Sequence, residues 1–344
     1  MDQKIVFNHI VHPYLKSLAL LAILTSIGAC GGGGGGSSTS ASIKNPVIVA
    51  PPGELVSGRG MKGVVVNADV SAYEIIDNQI ASDPLITTTT DNEGNYQLQL
   101  PHQGIKMLQI VLSGRADGST TVRCDISAGC MQMAYFYKFG ENYPVDSSFV
   151  LSGISGVDGI ALSMHITPLT HIVAEIVKSE LAARVISSSS SSGSILANAN
   201  SKVALAFDLD DVSFTSLVPI DITRITDYDN LQTNQLNANI VGAAVSTLDD
   251  PTRADDGIAD SLNRIVEMIK SNEMLMQSSE FVWVRASVMQ TAMQLRLENP
   301  NLQSSTMLAE IELKLKKSVD DSMLLADILK PPAFAISEFS LPAL

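Results

Sequence analysis

Basic residues, histidines, cysteines and aromatic residues are all scarce in this sequence. Its 22 lysines and arginines are outnumbered by 36 aspartates and glutamates, so the formal net charge is -14. Nucleic-acid phosphates are bound by clustered Lys and Arg, and the sequence therefore predicts no nucleic-acid partner. The same acidity disfavours direct adsorption to an anionic bilayer. The 5 histidines and 3 cysteines do not form the paired spacing of a zinc motif.

A membrane-spanning apolar run is also missing near the start of the chain. The almost wholly apolar residues 18–24 are far fewer than the ~20 residues that cross a bilayer. They follow Lys4 and Lys16, and they precede the small residues 26–29 and then Cys30. This order of basic, apolar and small residues predicts a secretory signal over residues 1–29, with an uncleaved membrane anchor as the alternative.

The residues around Cys30 carry a more specific resemblance. Ile27-Gly28-Ala29-Cys30 resembles the lipobox of bacterial lipoproteins. The resemblance implies cleavage before Cys30, acylation of that cysteine, and attachment to a membrane through more than one acyl chain, since one chain alone holds a protein only marginally. Gly31, not Asp, follows the cysteine, and by resemblance to known lipoprotein sorting this favours the outer membrane.

Residues 30–58 have the composition of a tether. Residues 31–36 are all glycine, and residues 37–40 are Ser and Thr. Such residues bury no apolar surface that could offset the entropy of chain ordering. We therefore expect a flexible linker that continues to about Gly58.

Cys124 and Cys130 remain as an even pair in a chain that is expected to be exported. An oxidising compartment favours a disulfide between them, and Gly129 suits the tight return of the short loop. The alternative, a metal site, lacks a second Cys pair or a His pair nearby in the sequence.

Residues 59–166 are predicted to form short strands. Residues 62–66, 70–75, 85–90 and 96–100 show β-branched runs or apolar alternation, and turn residues separate them. The motif Thr89-Thr90-Asp91-x-x-Gly94-Asn95-Tyr96-x-Leu98-x-Leu100-Pro101 resembles the carboxypeptidase regulatory-like domain. This resemblance covers about residues 59–121. It implies a small antiparallel β-sandwich that accompanies another activity and carries no peptidase chemistry of its own.

The period of the apolar residues changes at Thr167, which is predicted to cap a helix that begins at Pro168. The serine-rich loop 187–194 should end this helix. Further helices are predicted over residues 197–207, 231–248, 258–270, 280–297 and 305–329. The expected fold class is therefore α+β and multidomain, with a β-sandwich over 59–166, an all-α helical bundle over 167–330 and a tail over 331–344.

Candidate reactive residues are few. His165 and His171 flank the boundary between the predicted domains, but they are not spaced i, i+4 as in a zinc helix. Residues 152–156 lack the Gly-x-Ser-x-Gly spacing of a hydrolase elbow, because Val157 stands at the position of the second glycine. We assign no catalytic residue, cofactor or metal ligand.

Two further groups of residues have structural interpretations. Acidic clusters occur at residues 208–211, 227–230, 249–250 and 255–256 without the loop pattern of a calcium site, and we expect helix-cap acids. Phe281 and Trp283 are expected in the helical core, although their spacing would leave one of them exposed as a candidate partner surface.

These features predict a non-enzymatic, lipid-anchored protein that serves as a binding, adhesion or assembly module at the cell envelope. Its expected partners are the membrane, through the N-terminal lipid, and another envelope protein or polymer. Two alternatives stay open at this stage. One is an enzyme or enzyme subunit acting on an envelope or extracellular polymer, and the other is a structural envelope linker.

Overall fold

The structure is a computed structural model. It describes residues 52–132, 135–157, 161–184, 192–209, 213–224, 233–247, 258–271, 281–298 and 308–309. The predicted signal, Cys30, most of the predicted tether, most of the serine-rich loop and the tail over 331–344 lie outside these ranges.

Strands occupy the first half of the described chain. They are β1 (Leu55–Arg59), β2 (Val65–Val66), β3 (Asp69–Ile76), β4 (Gln79–Ile80), β5 (Ile86–Thr89), β6 (Asn95–Gln99), β7 (Met107–Ser113), β8 (Thr120–Arg123), β9 (Cys130–Gln132), β10 (Tyr135–Tyr137), β11 (Asn142–Val145), β12 (Val150–Gly156) and β13 (Ala161–Ser163). Alternation of buried and exposed residues along β6 agrees with its predicted period of two.

The strands form four small sheets. The largest has the order β12-β7-β3-β4, and β5 pairs with the same edge of β3 as β4 does. Two three-stranded sheets have the orders β13-β1-β6 and β11-β8-β2, and β9 and β10 form a two-stranded hairpin. The turn before β6 places Gly94 at φ 80, the positive value that its sequence position predicts.

Two features differ from the sequence prediction. β1 begins at Leu55, inside the segment predicted as tether, because Val56 is fully buried and the strand pairs with both β6 and β13. The pairing of β1 with β13 is parallel, so the strands are not all antiparallel. This pairing continues to Met61, whose N–H donates to the carbonyl of Ile166, and it leads the chain into the first helix.

Five α-helices follow within the described residues. They are α1 (Pro168–Arg184), α2 (Ser192–Ala206), α3 (Thr233–Ala244), α4 (Ile258–Lys270) and α5 (Val282–Glu298). Leu308 also lies in a helical turn, and the rest of the helix predicted over 305–329 is outside the described residues. No helix within the described ranges is long and apolar enough to cross a membrane.

Strands and helices share one continuous hydrophobic core. α1 packs on β12, and α2 and α4 pack on α1. The apolar stripe predicted for α1 is buried, at Leu169, Ile172, Val173, Ile176, Val177 and Leu181. These side chains belong to the same buried cluster as the apolar residues of β3, β7 and β12. The α+β class is therefore observed, and the helices pack directly on a sheet.

Candidate functional site

The loop between β8 and β9 is closed by a disulfide. Cys124 and Cys130 are bonded to each other, with their Cα atoms 5.7 Å apart. We call residues 124–130 the disulfide loop. Its N-terminal end is fixed by backbone hydrogen bonds, since Cys124 N–H donates to Glu141 O at 2.8 Å and Gly140 N–H donates to Cys124 O at 2.8 Å. Both cysteines are buried, so the bond belongs to the interior of the protein.

Asp125 of the disulfide loop forms a buried ion pair with Lys62. Their side chains are only 4% and 2% exposed, and the Lys62 Nζ contacts Asp125 Oδ1. The other carboxylate oxygen accepts the backbone N–H of Gly63 at 2.6 Å. Burial raises the pKa of Asp125, and the Lys62 ammonium and the Gly63 N–H act in the opposite direction. We call Lys62, Gly63 and Asp125 the charged junction.

The charged junction faces the helical part of the chain across a small cavity. This cavity of about 20 Å³ is lined by Lys62 and Asp125 on one side and by Leu169 of α1 and Gly242 of α3 on the other. Its size suits about one water molecule. The side chain of Asn239, on the wall of the cavity, accepts a hydrogen bond from Ile220 N–H and donates one to Gln235 O. The cavity is therefore too small for a substrate or an organic cofactor.

Two further contacts connect the disulfide loop and its strand to the helical part. Arg123 Nη1, at the end of β8, contacts the fully buried carboxylate of Asp221. Within the loop, Ser127 Oγ accepts a hydrogen bond of 3.3 Å from Thr291 Oγ1 of α5. The region around the disulfide thus joins strands and helices through polar contacts.

A second polar junction connects β12 with α1. His171 Nδ1 accepts the backbone N–H of Ser152 at 3.1 Å, and Ser152 Oγ lies 3.1 Å from the same nitrogen. Thr170 Oγ1 lies 3.3 Å from Ser152 O, and Thr170 N–H donates to Thr167 Oγ1 at 3.2 Å. Thr167 therefore caps α1, as its sequence position predicts. We call these four residues the histidine junction.

Ser152 and His171 have the residue types of a nucleophile and its general base. Both residues are buried, and neither lines the cavity. Because His171 Nδ1 already accepts a backbone N–H, it holds the helix on the strand. Burial lowers the pKa of His171 to about 4, so its ring is neutral near pH 7. The hydrogen bonds between Ser152 and His171 therefore hold α1 on β12.

His165 has different hydrogen-bond partners from His171. Its Nε2 is 3.3 Å from Ser163 Oγ, and its buried Nδ1 has no hydrogen-bond partner within the described residues. Burial, together with the charge of Arg59, lowers the pKa of His165 to about 4. No group of three potential metal ligands, with or without these histidines, occurs in the described part of the chain.

Phe281 is not the exposed member of the Phe281 and Trp283 pair. Phe281 is fully buried, and its ring centroid lies 5.7 Å from that of Phe207. The aromatic contact across the helices places Phe281 in the core, and the side chain of Trp283 is outside the description. Of the acidic clusters, only Asp208 falls within the described ranges, while the other clusters lie outside them.

Sequence reasoning missed an exposed aromatic surface on the β9–β10 hairpin. Tyr135 is 70% exposed and Phe136 is 47% exposed. The hairpin rests on the disulfide loop, because a Cβ on Gly129 would come within 2.3 Å of the Phe136 ring. The run of three aromatic residues at 135–137 is the feature of the sequence that indicates this surface. Lys62 and Asp125 gave no such signal, since they are 63 positions apart.

The chain was also compared with known proteins. No protein-family model matches it, no curated protein matches it, and no solved structure matches it.

Proposed function

We propose that this chain is a non-enzymatic, lipid-anchored exported protein that acts as a binding, adhesion or assembly module at the cell envelope. The lipobox-like sequence ending at Cys30 and the glycine run behind it support the anchor and favour the outer membrane. The expected partner is another envelope protein or polymer.

The observation that carries the binding role is the exposed aromatic hairpin. Tyr135 presents most of its side chain to solvent from a strand that is braced by the disulfide loop. Tyrosine supplies a large contact area at a small cost in side-chain entropy, and it is enriched in protein interfaces. A rigid base further reduces the ordering cost of binding.

The buried reactive groups support a non-enzymatic role. Lys62 and Asp125 neutralise each other, and His171 holds a backbone N–H. A catalytic group must reach a substrate, and these three side chains are all less than 8% exposed. Their contacts account for their burial without any reaction.

We also propose the finer description of the fold, a β-sandwich followed by a helical bundle. The largest sheet, which carries α1 on β12, would be one layer of the sandwich. The resemblance of residues 59–121 to the carboxypeptidase regulatory-like domain would then concern the first strands of this sandwich.

The anchor is tested by Cys30→Ala in the native host. We expect the acyl label to be lost and the protein to move from the membrane fraction to the soluble envelope fraction. Retention of the unacylated variant in the membrane would contradict the anchor.

The binding surface is tested by cross-linking in intact cells followed by mass spectrometry of the purified adducts. Tyr135→Ser should reduce the yield of the adduct several-fold, because it removes the exposed ring. Leu205→Ser is the matched control, because Leu205 on α2 is also an exposed hydrophobic residue, at 67% exposure. We expect it to lower the yield of the adduct far less than Tyr135→Ser does. An undiminished adduct in Tyr135→Ser would exclude this hairpin as the partner surface.

A further inference from the structure

The charged junction depends on the position of a short loop that is closed by a covalent bond. Asp125 lies directly after Cys124, and the disulfide spans a sequence separation of only 6. The carboxylate must stay in place, because Lys62 is 2% exposed and has no access to bulk water. An ammonium group buried without a counter-charge is strongly destabilising.

We propose that the Cys124–Cys130 disulfide acts as an oxidation-dependent switch for the charged junction, in which closure of the disulfide loop fixes Asp125 against Lys62 and Gly63. In the reduced chain the backbone hydrogen bonds of Cys124 still hold the start of the loop, but its return to Cys130 is no longer fixed and Asp125 is held less firmly against Lys62. In the oxidised chain Asp125 is held against Lys62 and Gly63, and the charged junction is complete.

The chemistry of closure is thiol–disulfide exchange with a disulfide-bonded oxidant. The Cys130 thiolate attacks one sulfur of the oxidant and forms a mixed disulfide with it. The other sulfur of the oxidant leaves as a thiolate. The Cys124 thiolate then attacks the Cys130 sulfur and releases the second thiolate of the oxidant. Two electrons pass to the oxidant, and its two thiolates take up the two protons that the cysteine thiols lost.

The switch works mainly in one direction. Cys124 is fully buried and Cys130 is 6% exposed, so the folded protein shields the bond from reductants. Exchange requires access of a thiolate to one of the sulfurs. Oxidation therefore occurs before the surrounding residues pack, and reduction requires local opening.

The use of this switch in the cell rests on the proposed export. A chain whose junction stays incomplete in a reducing cytoplasm would be easier to translocate than a fully packed one. The switch itself is a property of the isolated protein, so it can be tested without any assumption about the envelope.

The test is a double-mutant cycle on the full chain, with Cys30→Ser in every protein so that only Cys124 and Cys130 can pair. The first change is Cys124→Ala with Cys130→Ala, and the second is Lys62→Met with Asp125→Asn. We expect disulfide removal to raise the unfolding equilibrium constant about tenfold more in the parent than in the chain without the ion pair. Urea unfolding of the four proteins measures this difference.

Each outcome of the cycle is decisive. Folding of the disulfide-free chain only when the ion pair is also removed would be the strongest form of the expected coupling. Equal effects of disulfide removal in both backgrounds would overturn the proposal. If neither disulfide-free protein folds, the disulfide is needed for a reason other than the ion pair, and the proposal is again wrong. None of these outcomes depends on acylation or export.

Discussion

The charged junction and the histidine junction both attach helices to strands, but they do so with different chemistry. The charged junction uses a buried ion pair on a loop that a disulfide closes. The histidine junction uses neutral hydrogen bonds between Ser152 of β12 and His171 of α1. The first should therefore respond to the redox state of two cysteines, and the second should respond to pH.

The different responses follow from the two pKa shifts. Burial raises the pKa of Asp125, so the folded chain takes up a proton on this carboxyl more readily than the unfolded chain, and acid does not lower the free energy of unfolding through this group. Burial lowers the pKa of His171 to about 4, and protonation of its Nδ1 would set a proton against the Ser152 N–H. Each junction can thus be weakened while the other stays intact.

The largest effect is expected from Asp125→Ala, which leaves the Lys62 ammonium buried without a counter-charge. We expect a loss of about 3–5 kcal/mol in the free energy of unfolding, measured by urea denaturation. The control is Asp69→Ala, because Asp69 is 47% exposed and its pair with Arg115 at 2.8 Å is a surface pair. Surface pairs contribute about 1 kcal/mol or less. Equal losses in the two variants would show that burial of the charged junction has no special cost.

Acid should weaken the histidine junction. The folded pKa of His171 is about 4, below its ordinary value of 6.5, so the folded state binds fewer protons than the unfolded state. Its contribution is complete above pH 6.5 and is lost as the pH falls from 6.5 to 4, by up to about 3 kcal/mol. His165, whose pKa is also lowered to about 4, should add a comparable loss over the same range.

Unfolding measured at several pH values checks this expectation. His171→Gln should remove the share of this dependence that His171 contributes between pH 6.5 and 4, since Gln does not titrate. His102→Gln is the matched control, because His102 is exposed and lies outside the histidine junction. A His171→Gln protein with the parent slope would assign the acid sensitivity to other groups.

A smaller effect is expected from removal of the cap of α1. Thr167→Ala deletes the oxygen that accepts Thr170 N–H, and it should cost about 1 kcal/mol in thermal or urea unfolding. Thr167→Ser keeps an acceptor at the same place and should restore most of the stability. Equal stability of the Ala and Ser variants would show that the Thr167 cap does not stabilise the histidine junction.

The smallest expected effect is a gain in stability. Gly242 lies inside α3 beside the cavity, and a Cβ there would meet Leu169 at an ordinary distance of 3.8 Å. Gly242→Ala should therefore stabilise the protein by about 0.5–1 kcal/mol. Gly63→Ala should do the opposite, because Gly63 has φ +58 and a Cβ would lie 1.8 Å from Arg123 O. A destabilised Gly242→Ala protein would mean that the cavity must stay open.

Sequence patterns predicted the elements whose signals are local. The N-cap at Thr167, the apolar stripe of α1 and the turn at Gly94 all follow from neighbouring residues. The parallel pairing of β1 with β13 was not predicted, because its strands are about a hundred residues apart in the sequence. The Lys62 and Asp125 pair was missed for the same reason, since no periodicity links residues that meet only through the fold.

Amide hydrogen exchange at Gly63 and Ser152 tests most directly the claim that the two junctions are independent. Gly63 N–H donates to Asp125, and Ser152 N–H donates to His171. We expect removal of the disulfide to lower protection at Gly63 and leave Ser152 protected, while acidification toward pH 4.5 lowers protection at Ser152 first. Equal loss of protection at both amides under either condition would contradict this account.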